Sequence, residues 1–354
     1  MNAPLVPPRV ARVLVVDDAA SYRHVLSKIL ASIPGVEVVG LAGSVAAARR
    51  RIEQGGVDVV TLDVNLSEES GLELLEWTRR RHPRLITILV TAGQAAGART
   101  EVDALLTGAA ALILKPFGPG AVDALRNQLA HVLNAAVKVE RAPSVTAALS
   151  AGEVRAATRE LIAVGASTGG PPVLQEFLGG LPASFDVPVV IVQHMPVAHV
   201  PFFAELLAAK SGRPGRVAAD GEPVLRGHFY LAGHGKHLVV RRTHGRLTLH
   251  HDTGPEEHFC RPAVDPFFRS VAAVCGPATL GVVMTGMGHD GGAGAQALRA
   301  AGAPVVVQDE ATSVVWSMPR SVVDRGAACL VAPRSELSKV VMGWTRTDHK
   351  DGTP

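Results

Sequence analysis

The sequence predicts two α/β domains joined by a linker, each built around a largely parallel sheet. At 354 residues, the chain is longer than a single hydrophobic core usually organises. Its apolar runs are short, continuous and rich in branched residues, as in strands buried on both faces of a sheet. Helical stretches of about 10 to 15 residues separate these runs in the N-terminal part, which is typical of repeated βα units.

The N-terminal domain is predicted over residues 10–133 as a doubly wound sheet of five parallel strands. Its strands are expected at residues 12–16, 36–40, 57–62, 85–90 and 110–114. Its helices are expected at residues 22–31, 44–54, 71–80, 98–107 and 118–133.

Residues 134–158 are rich in Ala, Val and scattered charge, which predicts a partly helical linker. A second doubly wound α/β domain is predicted over residues 159–343, and the polar residues 344–354 are expected to form a disordered tail. The strands of this second domain are expected at residues 161–164, 187–192, 238–240, 247–249, 280–284 and 304–307.

Composition excludes several classes of protein. Apolar residues make up 47% of the chain and charged residues 19%, which is close to average globular usage. A net charge of +3 is too small for a general nucleic-acid binder.

The three cysteines form no CxxC pair, which argues against a disulfide framework or a thiolate zinc site. No run approaches the ~18 uncharged apolar residues of a membrane helix, and two aspartates interrupt the N-terminus before a signal-type core is complete. We therefore expect a cytoplasmic protein that neither binds nucleic acid nor inserts into a membrane.

Polar residues follow four of the five N-terminal strands. Asp17 and Asp18 follow the first strand, Asp63 the third, Thr91 the fourth and Lys115 the fifth. Strand ends of this kind converge at one crevice, where crowded carboxylates favour a hard cation such as Mg²⁺. A carboxylate can accept a phosphoryl group while Mg²⁺, an ammonium and a hydroxyl neutralise the transferred oxygens. An Asp pair alone could equally be a helix N-cap, so the prediction depends on the whole set.

This set resembles the receiver domain of two-component response regulators, over roughly residues 10–133. The resemblance implies a flavodoxin-like fold and phosphorylation of Asp63. It implies Mg²⁺ held by Asp18, Asp63 and the carbonyl of Asn65, with Asp17 assisting, and phosphoryl contacts from Thr91 and Lys115. The turn after Asp63 departs from the closest receivers, which have Met-Pro and Asp-Gly where this chain has Leu66-Ser67 and Ser70-Gly71. Leu112 stands where an aromatic switch residue is common.

A second set of polar residues follows three strands of the C-terminal domain. Ser167 lies in the turn GASTGG, His194 in QHMP, and Asp290 in the glycine-rich turn TGMGHDGG. The first motif alone could be an anion-binding turn or a plain N-cap. Together the three residues predict a hydrolase in which Ser167 attacks, His194 is the base and Asp290 orients the imidazole, since triads are recognised by geometry rather than by order. The backbone N–H of Met287 is expected in the oxyanion hole, and activity is expected to fall below an unperturbed histidine pKa near ~6.5.

These motifs, with HFCRPAVDPFF and QDEATSVVWSMPRS, resemble the chemotaxis protein-glutamate methylesterase family (CheB type) over about residues 160–333. The resemblance implies Ser167, His194 and Asp290 as the triad, with Thr168 and Met287 lining the site and no cofactor for the esterase. It implies hydrolysis of glutamyl methyl esters and deamidation of glutamines on chemoreceptors. It also implies a receiver that covers the active site until a chemotaxis histidine kinase phosphorylates it.

Two other functions stay open at this point: a receptor-binding protein whose hydrolase fold has lost activity, and a DNA-binding response regulator, although the glycine-rich pattern argues against a helix-turn-helix output. Several histidines between 194 and 289 could suggest a metal site, but His234 and His237 lack the HExxH spacing. Arg261 and Arg320 are candidates to orient an acidic receptor segment.

Overall fold

The structure, a computed structural model, describes residues 10–66, 70–92, 97–115, 118, 120–137, 147–148 and 154–346. The chain divides into two compact units, residues 1–140 and residues 141–354. No helix in these described stretches is both long and apolar enough to cross a bilayer.

The first unit contains one parallel sheet of five strands in the order β2-β1-β3-β4-β5. Its strands are Ala11–Val16 (β1), Val36–Ala42 (β2), Val59–Leu62 (β3), Ile86–Thr91 (β4) and Ala111–Leu114 (β5). Its helices are Ala20–Ala31 (α1), Val45–Glu53 (α2), Gly71–Arg81 (α3), Ala98–Thr107 (α4) and Ala121–Val137 (α5). The predicted five-stranded doubly wound fold is confirmed. Because the chain runs from β1 out to β2 and then back to β3, the topological switch point lies between β1 and β3.

The start of α3 packs closely on the loop that follows β3. Ser70 caps the helix by accepting from the N–H of Leu72, and the N–H of Gly71 donates to the carbonyl of Val64. A Cβ at position 71 would lie 2.7 Å from the carbonyl oxygen of Asp63. The Ser70-Gly71 pair therefore suits this turn, since only glycine allows so close an approach.

The second unit contains an eight-stranded sheet in the order β10-β12-β9-β8-β15-β16-β17-β6, parallel except for the edge strand β6. Its strands are Ala147–Ala148 (β6), Leu161–Ala166 (β8), Val189–Gln193 (β9), Gly215–Val217 (β10), Phe229–Leu231 (β12), Thr279–Val283 (β15), Val305–Gln308 (β16) and Leu330–Ala332 (β17). A separate antiparallel sheet consists of Glu222–Pro223 (β11), His237–Thr243 (β13) and Arg246–Asp252 (β14). Ala157–Thr158 (β7) pairs with Thr345–Arg346 (β18).

Six α-helices are described in this unit, and three of them (α8, α9 and α10) contribute residues to one apolar core with the sheet. They are Gly170–Gly179 (α6), Val200–Ser211 (α7), Val264–Cys275 (α8), Gly292–Ala300 (α9), Ser317–Asp324 (α10) and Leu337–Gly343 (α11). The predicted α/β class of this part is confirmed, and helices connect the parallel strands as that class requires.

Several short elements differ from the sequence-based expectation. Residues 147–148 and 157–158, predicted as partly helical linker, form strands, because they pair with β17 and β18. Residues 345–346, predicted within a disordered tail, form β18, and Trp344 is the C-cap residue of α11. The remaining residues of that predicted tail, 347–354, lie outside the described residues. Strands of two or three residues carry no periodicity, so only their pairing partners reveal them.

Candidate phosphorylation and active sites

A charged cluster lies at the switch point of the N-terminal sheet. Lys115 Nζ donates to Asp17 Oδ2 at 2.7 Å and to Asp63 Oδ2 at 2.6 Å. Asp17 follows β1, Asp63 follows β3 and Lys115 follows β5, so the ammonium bridges carboxylates from two neighbouring strands. The structure thus brings together three of the residues that the sequence analysis placed in the phosphorylation site.

Burial and charge perturb this cluster. Burial raises the pKa of Asp63, although the hydrogen bond from Lys115 opposes the shift. Burial alone would lower the pKa of Lys115, but hydrogen bonds to Asp17 and Asp63 raise it. The lysine therefore stays charged and holds the two carboxylates together.

The residues of this cluster fit a magnesium ion. Asp17 and Asp63 offer carboxylate oxygens. The Lys115 ammonium forms ion pairs with both, so the two carboxylates lie close enough to contact a single cation. Asp18 is solvent-exposed beside Asp17. The N–H of Asn65 donates to Asp63 Oδ1 at 3.0 Å, which folds the loop so that Asn65 stays next to the carboxylate. An all-oxygen donor set of this charge is the kind that Mg²⁺ prefers.

The Thr91 hydroxyl, predicted to contact the phosphoryl group, has a hydrogen-bond partner in the structure. This buried hydroxyl donates to Glu101 Oε1 on α4 at 2.6 Å, so a phosphoryl contact requires the hydroxyl to turn. Sequence reasoning missed Glu101, which is fully buried. The sequence does contain a sign of its burial. Glu101 lies at helical spacing between the apolar residues Ala98 and Leu105, on the buried face of α4.

The second site is built on three neighbouring strands, in the order β9-β8-β15. Ser167 directly follows the central strand β8, and its N–H donates to the carbonyl of Thr285 beyond β15 at 3.0 Å. His194 directly follows β9, and its N–H donates to the carbonyl of Ala166 at 3.0 Å. These two backbone hydrogen bonds tie the three strand ends together and bring Ser167, His194 and the turn of Asp290 to one edge.

His194 and Asp290 form a partly buried pair, with Nε2 of the imidazole 2.9 Å from Asp290 Oδ2. Asp290 also accepts backbone N–H groups from Val264, Asp265 and Gly291 at 2.6, 2.8 and 2.9 Å. The carboxylate occupies Nε2, so Nδ1 is the ring nitrogen that does not bond Asp290. The two residues that the sequence analysis paired are therefore hydrogen-bonded in the structure.

The electrostatics of this pair favour a charged imidazole. Burial alone would lower the pKa of His194, but hydrogen bonds with Asp290 and Cys260 outweigh it and raise the pKa to about 9. Burial alone would raise the pKa of Asp290, but the hydrogen bond with His194 and the backbone donors hold it below its usual value. The two opposite shifts favour an imidazolium paired with a carboxylate.

The surroundings of Ser167 suit a nucleophile in a confined turn. Ser167 is 8% exposed, and a Cβ on Gly286 would lie 2.8 Å from the Ser167 Cβ. The Ser167 hydroxyl has no hydrogen bond with another described residue, which is common before substrate binds. Thr168 follows it and accepts from the hydroxyl of Thr285 through its carbonyl. The backbone N–H of Met287 has no acceptor within the described stretches, so it is available for an oxyanion.

Gln193 is a further residue of this site that sequence reasoning missed. Its buried amide Nε2 donates to the carbonyls of Ser167 and His194, both at 2.9 Å. One side chain thereby fixes the main chain at both Ser167 and His194. The available signal was a polar residue that ends an otherwise apolar strand.

Two of the histidines weighed as metal ligands, His237 and His258, have other hydrogen-bond partners. His237 is buried and bonds the carbonyl of Pro255 and the N–H of Ala263. The only described group with three possible ligands close together is Glu257, His258 and Asp265, in which His258 hydrogen-bonds Asp265 at 2.8 Å.

Comparison with known proteins agrees with the two domains predicted from the sequence. The family model described as CheB methylesterase matches residues 162–341, and the response regulator receiver domain matches residues 13–150. A Trichodesmium erythraeum protein named protein-glutamate methylesterase/protein-glutamine glutaminase is 37% identical over 94% of this chain and 98% of its own length.

The chain belongs to the CheB methylesterase family. A relative in Xanthomonas campestris pv. campestris, named protein-glutamate methylesterase/protein-glutamine glutaminase 1, is 39% identical over 93% of this chain and 95% of its own. The crystal structure of the Thermotoga maritima CheB methylesterase catalytic domain aligns with a TM-score of 0.51 and 33% identity, covering 52% of this chain and 98% of that one. The resemblance stated from the sequence motifs is thereby confirmed.

Proposed function

We propose that this protein is a phosphorylation-activated serine hydrolase that removes methyl esters from glutamate side chains of chemoreceptors and deamidates selected glutamines there. The observation that carries the proposal is the hydrogen bond between His194 and Asp290. His194 follows β9 and Asp290 lies in the turn after β15, and these strands flank the one that presents Ser167. The names of the family relatives support the substrate class.

In this mechanism the Ser167 hydroxyl attacks the glutamyl carbonyl carbon while His194 Nδ1 takes its proton. Asp290 holds the imidazole by Nε2 and stabilises the positive charge that forms. The N–H of Met287 donates to the oxygen that becomes negative. His194 then gives the proton to the leaving methanol or ammonia, and water hydrolyses the acyl-serine by the same steps in reverse order. The Thr168 backbone beside Ser167 lines the site.

Activation depends on Asp63 in the first unit. The Asp63 carboxylate accepts a phosphoryl group from a chemotaxis histidine kinase, and the Lys115 ammonium beside it neutralises a phosphoryl oxygen. Asp17, Asp18, Asp63 and the carbonyl of Asn65 would hold Mg²⁺, which supplies charge neutralisation during transfer. Thr91 leaves Glu101 to contact the phosphoryl group. The esterase reaction itself uses only side chains and backbone N–H groups.

The same proposal places the protein in the cytoplasm with its kinase. Its three cysteines are free, which suits a reducing compartment. Its partners are chemoreceptors and the kinase rather than nucleic acid, and the chain does not insert into the membrane.

Methanol release from methylated receptor membranes tests the esterase directly. Ser167→Ala should abolish release, because no other group takes the place of the nucleophile, and a serine-directed phosphonate probe should label only the protein with Ser167 intact. Gly179→Ala is a matched control, since a Cβ at position 179 meets nothing within 4 Å. Release that survives in Ser167→Ala would contradict the triad, and wild-type protein that binds receptors without releasing methanol would favour the inactive receptor-binding alternative.

A further inference from the structure

A single aromatic side chain projects from the segment that leads into α8. Phe259 is 98% exposed, whereas every other phenylalanine of the second unit is at least partly buried. Both Phe259 and His258 have left-handed backbone, with φ of 60° and 56°. Such backbone is strained in a non-glycine residue and persists only where its surroundings enforce it. The chain thus holds a large apolar group in water on a strained turn.

The base of this segment is anchored by a buried histidine. His237 accepts from the N–H of Ala263 at Nδ1, 3.1 Å away. Its Nε2 therefore carries the proton and donates to the carbonyl of Pro255 at 2.8 Å. One ring on β13 fixes both ends of residues 255–263.

The tip of the segment is anchored as well. His258 Nε2 lies 2.8 Å from Asp265 Oδ2, and Glu257 pairs with Arg269 on α8. Glu257 and Cys260 exchange backbone hydrogen bonds across the turn. Phe259 is therefore presented by a rigid turn, which removes most of the ordering cost that a flexible loop would incur on binding.

This turn borders the active site. His258 Nε2 is 3.9 Å from Oδ1 of the triad residue Asp290. Cys260, on the other side of Phe259, lies within hydrogen-bonding reach of the imidazole of His194. A macromolecule whose side chain reaches Ser167 must therefore pass close to Phe259.

An unpaired cation and a second apolar side chain lie next to the turn. Arg261 is exposed and donates to the carbonyls of Gly235 and Gly254 at 2.8 and 3.2 Å. Within the described stretches no carboxylate pairs with it, so its charge stays available to a partner. Val197, 48% exposed, follows His194 closely and lies near Gly235, where a Cβ would be 3.7 Å from Val197 Cγ2.

We propose that Val197, Phe259 and Arg261 form a docking surface for the receptor segment that carries the esterified glutamate, with Phe259 as its central anchor. This inference rests on the proposed function. The partner segment has an apolar side chain that covers the Phe259 ring and an acidic side chain that pairs with Arg261. Burial of an aromatic ring in a preorganised position is the usual source of a binding hot spot.

The test compares two substrates of the full-length protein: methylated receptor membranes and the γ-methyl ester of an N-acetylglutamate amide. Phe259→Ala should lower the ratio of kcat/KM on receptors to kcat/KM on the small ester about 10-fold or more, chiefly through KM. Phe259→Tyr keeps the aromatic body and should restore most of the ratio. Arg261→Gln should also lower the ratio and weaken its dependence on salt. Leu225→Ala removes an exposed apolar side chain elsewhere in the second unit and is the matched control.

Three results would overturn the docking surface. The first is an unchanged ratio in Phe259→Ala, and the second is an equal loss on both substrates, which would mean that Phe259 acts on the chemistry. The third is a rise in unphosphorylated activity on the small ester, which would mean that the receiver domain occupies the surface. Wild-type protein that hydrolyses the small ester but no receptor ester would instead refute the proposed function, and the docking surface with it.

Discussion

Asp290 caps helix α8, which contains Asp265, and Asp265 caps helix α9, which follows Asp290. The N–H of Asp265, in the first turn of α8, donates to Asp290 Oδ1 at 2.8 Å. In return, Asp265 Oδ1 accepts from the N–H of Gly294, in the first turn of α9, at 2.6 Å. Helix N-termini bind carboxylates because their first N–H groups lack partners within the helix. This reciprocal capping fixes the triad carboxylate against two helices at once.

Asp265 is therefore a positioning residue for the triad. Asp265→Ala should destabilise the fold by about 1–3 kcal/mol, because the N–H of Gly294 loses its buried acceptor. It should also lower kcat more than it changes KM. In this variant Asp290 is held less firmly and should raise the pKa of His194 by less than in the wild type. The acidic limb of the pH–rate profile should therefore move to lower pH. A loss of stability alone would not move this limb. Asp265→Asn keeps an oxygen for Gly294 and should recover most of the loss; thermal unfolding and pH–rate profiles on the small ester measure both effects.

The pH dependence of the esterase follows from the charge on His194. Neutral imidazole is the form that takes the serine proton, and the structure raises the pKa of His194 to about 9 rather than the value near ~6.5 expected from sequence. Activity should therefore rise between pH 7 and 9. The stability of the fold should depend on pH in the opposite direction. The raised pKa of His194 stabilises the folded state fully at pH values below the pKa of this histidine in the unfolded chain, and this stabilisation is lost as the pH rises through 9.

Initial rates from pH 6 to 10 on the small ester, corrected with Ser167→Ala for hydrolysis by hydroxide, measure this limb. A limb centred near pH 6.5, or a flat profile, would contradict the raised pKa.

Gly286 gives a second structural prediction. A Cβ at this position would lie 2.2 Å from Met318 Sδ and 2.8 Å from the Ser167 Cβ. Gly286→Ala should therefore displace the nucleophile and lower kcat by about 100-fold, the usual effect of a shift of about 1 Å. The overpacked site should also cost about 1–3 kcal/mol of stability. Gly179→Ala serves again as the control, and normal kcat in Gly286→Ala would show that the turn can adjust without moving Ser167.

Much of both sites could be predicted from the sequence because strand ends in a parallel sheet meet at one edge. That rule alone brings Asp17, Asp63 and Lys115 together, and likewise Ser167, His194 and Asp290. The direction in which a side chain turns does not follow from the rule, which is why the hydrogen bond of Thr91 with Glu101 was not foreseen.

The support of the triad was also not predictable from sequence patterns. Asp265 and Asp290 are 25 residues apart, and their reciprocal capping exists only because α8 and α9 pack against each other. The raised pKa of His194 has the same origin, since it depends on contacts with Asp290 and Cys260 that tertiary packing creates. Local periodicity contains no information about such contacts.

Methanol release from methylated receptor membranes, with and without acetyl phosphate and Mg²⁺, tests the central claim most directly. Wild-type protein should release methanol faster when the phosphodonor is present, because phosphorylated Asp63 activates the serine hydrolase. Asp63→Asn lacks the phosphoryl acceptor and should release methanol at a rate that the phosphodonor does not change. Equal stimulation of both proteins, or no release by either one, would contradict the account.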